Sequence, residues 1–446
     1  NCDRFVHLIH TVAMNSPSQA SSLHPLDAPA ACIGFDWGDS VHAIALHVPG
    51  QPIETLQLDH SPERLIAWLD SLQERFRGAF VDIAIECTRG AVVYCCQAYH
   101  WVRIFPVHPT TSSKQRTAFR PSGAKDDTHD ALVLLDILLN HRDRLRQLHW
   151  DEPDTRLIAE LVAARRKAVD RRTLLSNQLT STLKDYFPQA LGLFGDNPTA
   201  PIAIGFLRKW PTLIDLQASS DAVISRFYRQ HNVRSETLIK ERIQAVRQSK
   251  SLTLDEPIVS TRSRVAHLLV DEIEVVQSHI AEFDSVIAAA FARHGDHAIF
   301  HNLPGAGAVM APRLLAAFGS DRSRFPKPED AQRLFGVAPV TESSGQRSWV
   351  HWRYGAPRFL RQSLVEWAGQ SILYSAWAKA HYEQQRKGGS SRSAALRSLA
   401  YKWVRILWKC WTTRTLYSEK HYLAQLVKRS SPIAPRALEL AQEMGL

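Results

Sequence analysis

The order of apolar segments between residues 31 and 142 constrains the fold more than any other feature of the sequence. Residues 31–37 have the composition of a buried strand, and residues 41–48 can form its hairpin partner across a Gly-Asp-Ser turn. A third strand at 52–58 is followed by helix, strand, helix, strand and helix up to residue 142. This order predicts a mixed sheet with helices on both faces.

The same order of strands and helices is found in the ribonuclease H-like fold. The region after it changes character, with long helices predicted at 151–187 and 258–293. In the second helix the apolar residues alternate steps of four and three, which is typical of a coiled-coil seam. They are Leu269, Ile273, Val276, Ile280, Phe283 and Ile287. We expect the pair to form an antiparallel arm or a dimerisation element, and two ordinary core helices are the alternative.

From residue 296 the sequence is rich in helical segments that carry Trp and Arg. The run Leu303-Pro-Gly-Ala-Gly307 resembles a helix-hairpin-helix element, whose glycines let backbone amides approach a phosphate. The predicted fold is therefore an α/β domain followed by α-helical regions. The predicted regions are a disordered tail at 1–29, a ribonuclease H-like (RuvC-like) domain at 30–150, a coiled-coil region with inserted helices at 151–295, a mostly helical C-terminal domain at 296–415 and a tail at 416–446.

Four carboxylates occupy positions from which they can meet. Asp36 ends the first strand, Glu86 ends a strand that neighbours it in this fold, and Asp127 and Asp130 share one helix face. Four carboxylates together are costly unless cations neutralise them, and oxygen ligands favour Mg²⁺ or Mn²⁺. Such ions support phosphoryl transfer. Each residue alone also fits a turn, a helix cap or a solvated helix face, so the prediction depends on their joint placement.

Basic residues surround a serine pair in the C-terminal region. The chain has 54 Lys and Arg against 44 Asp and Glu, a net charge of +10, which suits a polyanionic partner. Ser343-Ser344-Gly345 is predicted as a flexible polar turn flanked by Arg347, Arg353, Arg358 and Arg361. Arginines beside a serine can stabilise phosphate charge and a phosphoserine intermediate. A plain surface loop is the alternative interpretation of the serines.

Further residues are candidates for contact with nucleic acid. Arg165 and Arg166 in the first long helix are predicted to bind it. Aromatic residues interleaved with arginines can stack on bases, and the candidates are Trp349, Trp352, Tyr354 and Trp367. Core packing is the alternative for Trp367, and it is favoured for Trp403, Trp408 and Trp411.

The six cysteines lack both a C-x-x-C pair and zinc-site spacing with histidines. This predicts free thiols in a reducing compartment. No apolar run reaches 18 residues, so no membrane segment is expected. Residues 1–30 lack the basic segment and apolar core of a signal peptide.

As an ordered set, the motifs resemble the DEDD transposases of insertion sequences. These are bridge-RNA-guided recombinases with an N-terminal RuvC-like domain and a C-terminal serine transposase domain. The resemblance covers roughly residues 31–415. Its motifs are Ile33-Gly-Phe-Asp36, Ile83-Ala-Ile-Glu86, Val107-His-Pro109, Lys125-Asp-Asp127-Thr-His-Asp130, Leu303-Pro-Gly-Ala-Gly307, Phe335-Gly-Val-Ala-Pro339 and Ser343-Ser-Gly345.

The resemblance implies a mechanism and a set of partners. Asp36, Glu86, Asp127 and Asp130 would hold Mg²⁺, and Ser344 would attack DNA to form a phosphoserine link, with Ser343 as the fallback. A structured non-coding RNA encoded by the element would select donor and target DNA. Dimers would pair into a tetramer in which the RuvC-like site of one subunit faces the serine of another. The expected location is the bacterial cytoplasm, at the nucleoid when the protein is active.

Two other functions remain open at this stage. One is a RuvC-like junction nuclease, in which water attacks the phosphate and the serine is incidental. The other is a non-catalytic protein that binds RNA or DNA and carries a decayed site. The presence of all four carboxylates argues against decay.

Overall fold

The computed structural model describes residues 28–119, 127–345 and 347–446, so most of the tail expected at 1–29 lies outside the described residues. The chain divides into two compact units, residues 1–150 and residues 151–446. The second unit includes both regions that were predicted separately at 151–295 and 296–415. Within the described residues, no helix is both long enough and apolar enough to cross a membrane.

The first unit is built on a five-stranded sheet. Its strands are β1 (Ala31–Asp36), β2 (Val41–His47), β3 (Glu54–Asp59), β4 (Val81–Ile85) and β5 (Val102–Pro106). Their spatial order is β3-β2-β1-β4-β5. β2 pairs antiparallel with β1 and β3, whereas β4 pairs parallel with β1 and β5. This mixed sheet, together with its helices, is compatible with a ribonuclease H-like fold.

Helices cover both faces of the sheet. They are α1 (Pro62–Arg75), α2 (Ala91–Cys96), α3 (Pro109–Phe119) and α4 (Asp127–His141). Because alternate residues of a strand point to opposite faces, Ile33 and Phe35 pack with α1 and α2, and Cys32 packs with α4. The helix predicted at 90–100 is shorter in the structure, since regular helix ends at Cys96. Residues 125 and 126, where the last helix was predicted to begin, lie outside the described residues.

The second unit contains two long helices, α5 (Pro153–Tyr186) and α11 (Glu256–Arg293). Five short helices lie between them. These are α6 (Gln189–Phe194), α7 (Pro201–Lys209), α8 (Leu213–Ala218), α9 (Asp221–Gln230) and α10 (Glu236–Gln248). The ion pairs between the long helices are Arg165–Asp284, Arg171–Glu272 and Arg262–Asp185. Residue numbers rise along α5 as they fall along α11, so the two helices pack antiparallel within one chain.

The rest of the second unit is helical apart from one hairpin. Its elements are α12 (His297–His301), α13 (Gly307–Phe318), α14 (Pro328–Leu334), β6 (Val340–Ser344), β7 (Arg347–His351), α15 (Arg358–Ser371), α16 (Ala376–Lys387), α17 (Arg392–Thr413), α18 (Glu419–Lys428) and α19 (Ala434–Met444). Two elements differ from expectation. The polar turn predicted at 343–345 is mostly strand, and the tail predicted at 416–446 contains two helices that join the core.

The C-terminal tryptophans belong mainly to this core. Trp367, Trp403 and Trp411 are completely buried, and Trp408 is partly buried against them. Trp367 therefore cannot stack on a base, because its ring has no exposed face. Trp349 and Tyr354, by contrast, are exposed.

Candidate functional site

Three carboxylates meet at one edge of the sheet in the first unit. Asp36 ends β1, Asp127 is the first described residue of α4, and Asp130 lies one turn further along that helix. One ligand oxygen from each lies within 4.8 Å of the other two. Asp130 is 6% exposed, Asp36 is half-buried and Asp127 is exposed. The structure thus brings together three of the four predicted ligands.

Gly34 determines how closely β1 and α4 approach each other. A Cβ added at Gly34 would lie 2.0 Å from the carbonyl oxygen of Ala131 and 2.5 Å from the backbone nitrogen of Leu135. Glycine is required in a strand where another backbone approaches this closely. Because Asp36 follows Gly34 by two residues and Asp130 directly precedes Ala131, the same contact holds the carboxylates together.

We expect Gly34→Ala to destabilise the protein by about 1–3 kcal/mol, because the added methyl group forces α4 away from β1. Mn²⁺ affinity should fall by about tenfold or more as the carboxylates separate. Thermal unfolding and calorimetric titration with Mn²⁺ measure the two effects. Gly192→Ala is the control, since a Cβ at Gly192 meets nothing within 4 Å. An unchanged Mn²⁺ affinity in Gly34→Ala would contradict this role.

Asp130 faces a positive charge from α3. Arg116 Nε lies 2.6 Å from Asp130 Oδ1. The angle is not that of a hydrogen bond, however, and both atoms are buried without a hydrogen-bond partner among the described residues. A buried carboxylate oxygen that accepts no hydrogen bond is costly unless a cation neutralises it. An oxygen-only cluster with such an atom fits a hard divalent cation, and Arg116 supplies part of the compensating charge.

Glu86 lies outside the cluster of three. It directly follows β4, and its carboxylate accepts a short hydrogen bond from the hydroxyl of Ser112 in α3. Ser112 is 1% exposed, so this contact is shielded from water. The role of Glu86 as a fourth metal ligand stays a prediction.

Three residues near the cluster were not selected from the sequence: Ser112, Arg116 and His129. Both ring nitrogens of His129, the neighbour of Asp130, are buried without a hydrogen-bond partner in the part of the chain that the structure describes. The helix that carries Ser112 and Arg116 has no clear apolar periodicity, so its sequence does not reveal which face meets the carboxylates. The Val107-His-Pro109 motif, which leads into this helix, is the nearest sequence feature that could have indicated its role.

The serine pair lies on the hairpin of β6 and β7. Ser344 pairs with Arg347 and Ser343 pairs with Ser348, while Gly345 lies in the turn with a φ of 58°. Directly opposed residues share a face of the sheet, as do alternate residues of one strand. The face of Ser344 also carries Glu342, Arg347, Trp349 and His351, and the face of Ser343 carries Thr341, Ser348 and Val350. Both serines are exposed, but only Ser344 shares its face with charged groups.

His351 forms an ion pair with Glu342 on the Ser344 face. Its Nε2 lies 2.7 Å from Oε1 of Glu342, and its Nδ1 lies 2.9 Å from the carbonyl oxygen of Trp352. Both oxygens accept hydrogen bonds, so the two contacts together favour the imidazolium form, in which both ring nitrogens donate. The bonds to the Trp352 carbonyl and to Glu342 raise the pKa of His351 above its ordinary value. With both nitrogens occupied, His351 is not placed to act as a general base.

The raised pKa of His351 predicts a pH dependence of the hairpin. The Glu342–His351 pair should contribute fully below the ordinary histidine pKa of 6.5, and its contribution should disappear as pH rises through the raised value. An NMR titration of the His351 ring should give a pKa above 6.5 that falls in Glu342→Gln. Glu329→Gln, in α14, is the charge-matched control. A wild-type value below the ordinary one would refute the imidazolium assignment.

The arginines predicted to bind nucleic acid form two groups. Arg165 is held by Asp284 through two hydrogen bonds of 2.5 and 3.0 Å, and Arg166 pairs with Asp170. Both line a cavity of about 230 Å³ that Arg313 also lines. The second group forms no ion pair with any carboxylate among the described residues, and it consists of Arg347, Arg353, Arg358 and Arg361. Of the six predicted arginines, the four around the hairpin are therefore the ones available to bind an anion.

The loop predicted as helix-hairpin-helix-like joins α12 and α13. Gly305 has a φ of 70°, and a Cβ added there would lie 2.9 Å from the carbonyl group of Gln370. This glycine is thus required for packing against the end of α15. A Cβ on Gly307 would meet nothing within 4 Å, so this glycine leaves the N-terminus of α13 open. Phosphate binding by this loop stays a prediction.

Two family models match this chain, and both describe transposases. The DEDD model for IS110 elements, described as "Transposase", matches residues 33–188, and "Transposase IS116/IS110/IS902 family" matches residues 297–383. The chain is 26% identical to the mini-circle transposase assigned to IS117 of Streptomyces coelicolor, over 91% of this chain and 99% of that protein. It is 23% identical to the 42 kDa protein of insertion element IS900 of Mycobacterium paratuberculosis, over 86% and 96% of the two chains. The similarity therefore spans both units.

Proposed function

Since the chain is a transposase of the IS110/IS116 family, we propose that it is an RNA-guided DNA recombinase that acts through a metal site and a phosphoserine link. The observation that carries the proposal is the placement of Ser344. It is exposed on a hairpin face that it shares with Arg347, which forms no ion pair with a carboxylate among the described residues. A hydroxyl with fixed positive charge beside it is suited to attack a phosphodiester.

The carboxylates supply the other half of the proposed centre. Asp36, Asp127 and Asp130, with Glu86 as a fourth ligand, would hold Mg²⁺ or Mn²⁺. When bound, such an ion neutralises charge on the phosphate and favours deprotonation of an attacking hydroxyl. Asp130 is buried, and its contact with Arg116 brings one positive charge to the cluster.

The proposed chemistry is a balanced transesterification. The Oγ of Ser344 attacks the scissile phosphorus, and a serine–phosphorus ester forms as the bond to the leaving deoxyribose oxygen breaks. The Ser344 hydroxyl loses its proton as the ester forms, and the leaving oxygen takes up a proton and becomes a free hydroxyl end, so protons balance. In rejoining, a free hydroxyl of another strand attacks the phosphoserine and releases Ser344. One ester replaces another at each step, so the reaction consumes no high-energy cofactor.

The partners in this proposal come from the family resemblance. A guide RNA encoded by the element would choose donor and target DNA, and dimers would assemble into a tetramer. RNA that copurifies with the full chain and maps to the DNA flanking its gene would support guidance. Protein purified free of RNA that still recombines specific sites would contradict it.

A denaturing gel distinguishes recombination from the competing function. The full chain is incubated with Mg²⁺ and end-labelled DNA of the element ends, and the products are then denatured. A recombinase moves label into a protease-sensitive band of protein size. The alternative, a RuvC-like junction nuclease, releases free ends only. Wild-type cleavage without any protein-linked label would overturn the proposed mechanism.

A further inference from the structure

Arginines surround Trp352 at the base of the serine hairpin. The guanidinium carbon of Arg397 lies 4.4 Å from the centroid of the Trp352 ring, and that of Arg361 lies 4.9 Å from it. Arg361 also donates from Nη1 to the carbonyl oxygen of Arg353 at 3.0 Å. We call Trp352, Arg353, Arg361 and Arg397 the Trp352 cluster. Arg397 comes from α17, so the cluster joins the hairpin to the C-terminal core.

The Trp352 cluster lacks negative charge. None of its three arginines forms an ion pair with a carboxylate in residues 28–119, 127–345 and 347–446. Two other arginines of the same unit that stack on aromatic rings have such a partner, whereas Arg242, which stacks on Tyr228, forms no ion pair among the described residues. Arg313 pairs with Glu366 at 2.8 Å, and Arg322 pairs with Asp296 at 2.6 Å. The Trp352 cluster differs from these contacts because two guanidinium groups without a carboxylate partner share one aromatic ring.

Two observations indicate that an anion completes the cluster. Burial and the nearby charge of Arg361 lower the pKa of Arg397, so the two cations repel each other. Nε of Arg353 is buried without a hydrogen-bond partner among the described residues. A phosphodiester oxygen would offset the repulsion and accept from the unused donors, and arginine is well suited to bind it. Stacking on Trp352 holds guanidinium planes in place beforehand.

We propose that the Trp352 cluster binds a backbone phosphate of the DNA strand that reacts at Ser344. The identity of that strand rests on the proposed function. Trp352 follows Arg347, the partner of Ser344, by five residues of mostly extended chain. At roughly 3.3 Å per residue this stretch of chain spans at most about 17 Å, which is the axial rise of about five nucleotides of DNA. The cluster would thus hold a phosphate a few nucleotides from the reacting one and position the strand.

The test measures binding without chemistry. A fluorescein-labelled DNA duplex of mixed sequence is titrated with the full Ser344→Ala chain at several KCl concentrations. The double variant Ser344→Ala/Arg397→Gln should have a dissociation constant about tenfold higher than that of Ser344→Ala. The slope of log K against log[KCl] should fall in magnitude by about 0.9, which corresponds to the loss of one phosphate contact. Arg405→Gln is the matched control, because Arg405 lies on the same helix, is exposed and pairs with Glu329. Equal effects of the two substitutions would overturn the proposal.

Two further readouts exclude a structural explanation and a different ligand. Arg397→Gln removes a charge that Arg361 repels, so the thermal unfolding midpoint without DNA should not fall. A lower midpoint that accompanies the loss of binding would indicate a structural role and refute the proposal. An RNA strand of the same sequence serves as a second probe. A loss of affinity confined to RNA would overturn the assignment to DNA.

The outcome is independent of the phosphoserine mechanism. Normal DNA binding by Arg397→Gln, combined with a normal adduct in the wild-type chain, refutes only the Trp352 cluster. Weakened binding by Arg397→Gln, combined with no adduct in the wild-type chain, refutes only the proposed mechanism.

Discussion

Asp127→Asn is expected to reduce the rate of DNA strand cleavage by about a thousandfold while leaving nucleic-acid binding intact. The substitution removes one charged ligand from the three-carboxylate cluster. A bound metal ion contributes several kcal/mol to phosphoryl transfer, and each 1.4 kcal/mol corresponds to about tenfold in rate. Asp127 is exposed, so its replacement should not disturb the core. Quenched-flow cleavage of labelled DNA and calorimetric titration with Mn²⁺ measure rate and affinity separately.

Asp136→Asn provides the control for this substitution. Asp136 lies on the same helix and accepts hydrogen bonds from Gln115 and Asn140, away from the carboxylate cluster. Asp136→Asn makes the same change of charge, and this variant should cleave DNA at close to the wild-type rate. If Asp127→Asn cleaves DNA at the wild-type rate, the metal-site assignment is wrong. If both variants lose activity equally, the effect is not specific to the cluster.

Ser344→Ala is expected to abolish the covalent protein–DNA adduct, whereas Ser343→Ala should form it at close to the wild-type rate. The reason is the register of the hairpin, which puts the two serines on opposite faces. Only the face of Ser344 carries Arg347 and the Glu342–His351 pair. A phosphate that approaches Ser343 would meet Thr341 and Val350 instead. Adduct formation is measured as protease-sensitive label on a denaturing gel.

The two serine variants control for each other, because each makes the same change one residue apart on an exposed strand. Loss of the adduct in Ser343→Ala, with the adduct retained in Ser344→Ala, would assign the nucleophile to the other face. An adduct that persists in both variants would exclude the hairpin serines as the nucleophile.

The carboxylate cluster could be anticipated because secondary structure alone brings it together. A strand that ends at Asp36 and a helix that begins with Asp127 and Asp130 need only the Gly34 contact to meet. The hydrogen bond from Ser112 to Glu86 was not predictable, since it depends on side-chain conformation and on a helix without clear apolar periodicity. Backbone placement was readable from the sequence, whereas side-chain pairing was not.

The hairpin and the last two helices were harder to predict, for opposite reasons. Strands β6 and β7 have largely exposed residues on both faces, so they lack the alternation of apolar and polar residues that marks a half-buried strand. In α18 and α19 the average composition is polar, but Leu423, Leu426 and Leu440 are buried. A narrow apolar stripe on a polar helix is easily hidden by its average composition.

Arg397 illustrates what only tertiary structure reveals. It lies far along the chain from Arg361, in a helix whose sequence suggests core packing, yet both contact Trp352. The sequence predicts that arginines near the serines bind nucleic acid, and this stays a prediction. It could not show which arginines lack a carboxylate, because ion pairs such as Arg313–Glu366 join different helices.

Mass spectrometry of the trapped protein–DNA adduct identifies the residue through which the protein is linked to DNA. The wild-type chain is reacted with element-end DNA, denatured, digested with nuclease and protease, and its peptides are sequenced. We expect a nucleotide remnant attached through phosphate to the Oγ of Ser344. Cleaved DNA with no remnant on any peptide would contradict the phosphoserine mechanism, and a remnant on any other residue would contradict the assignment to Ser344.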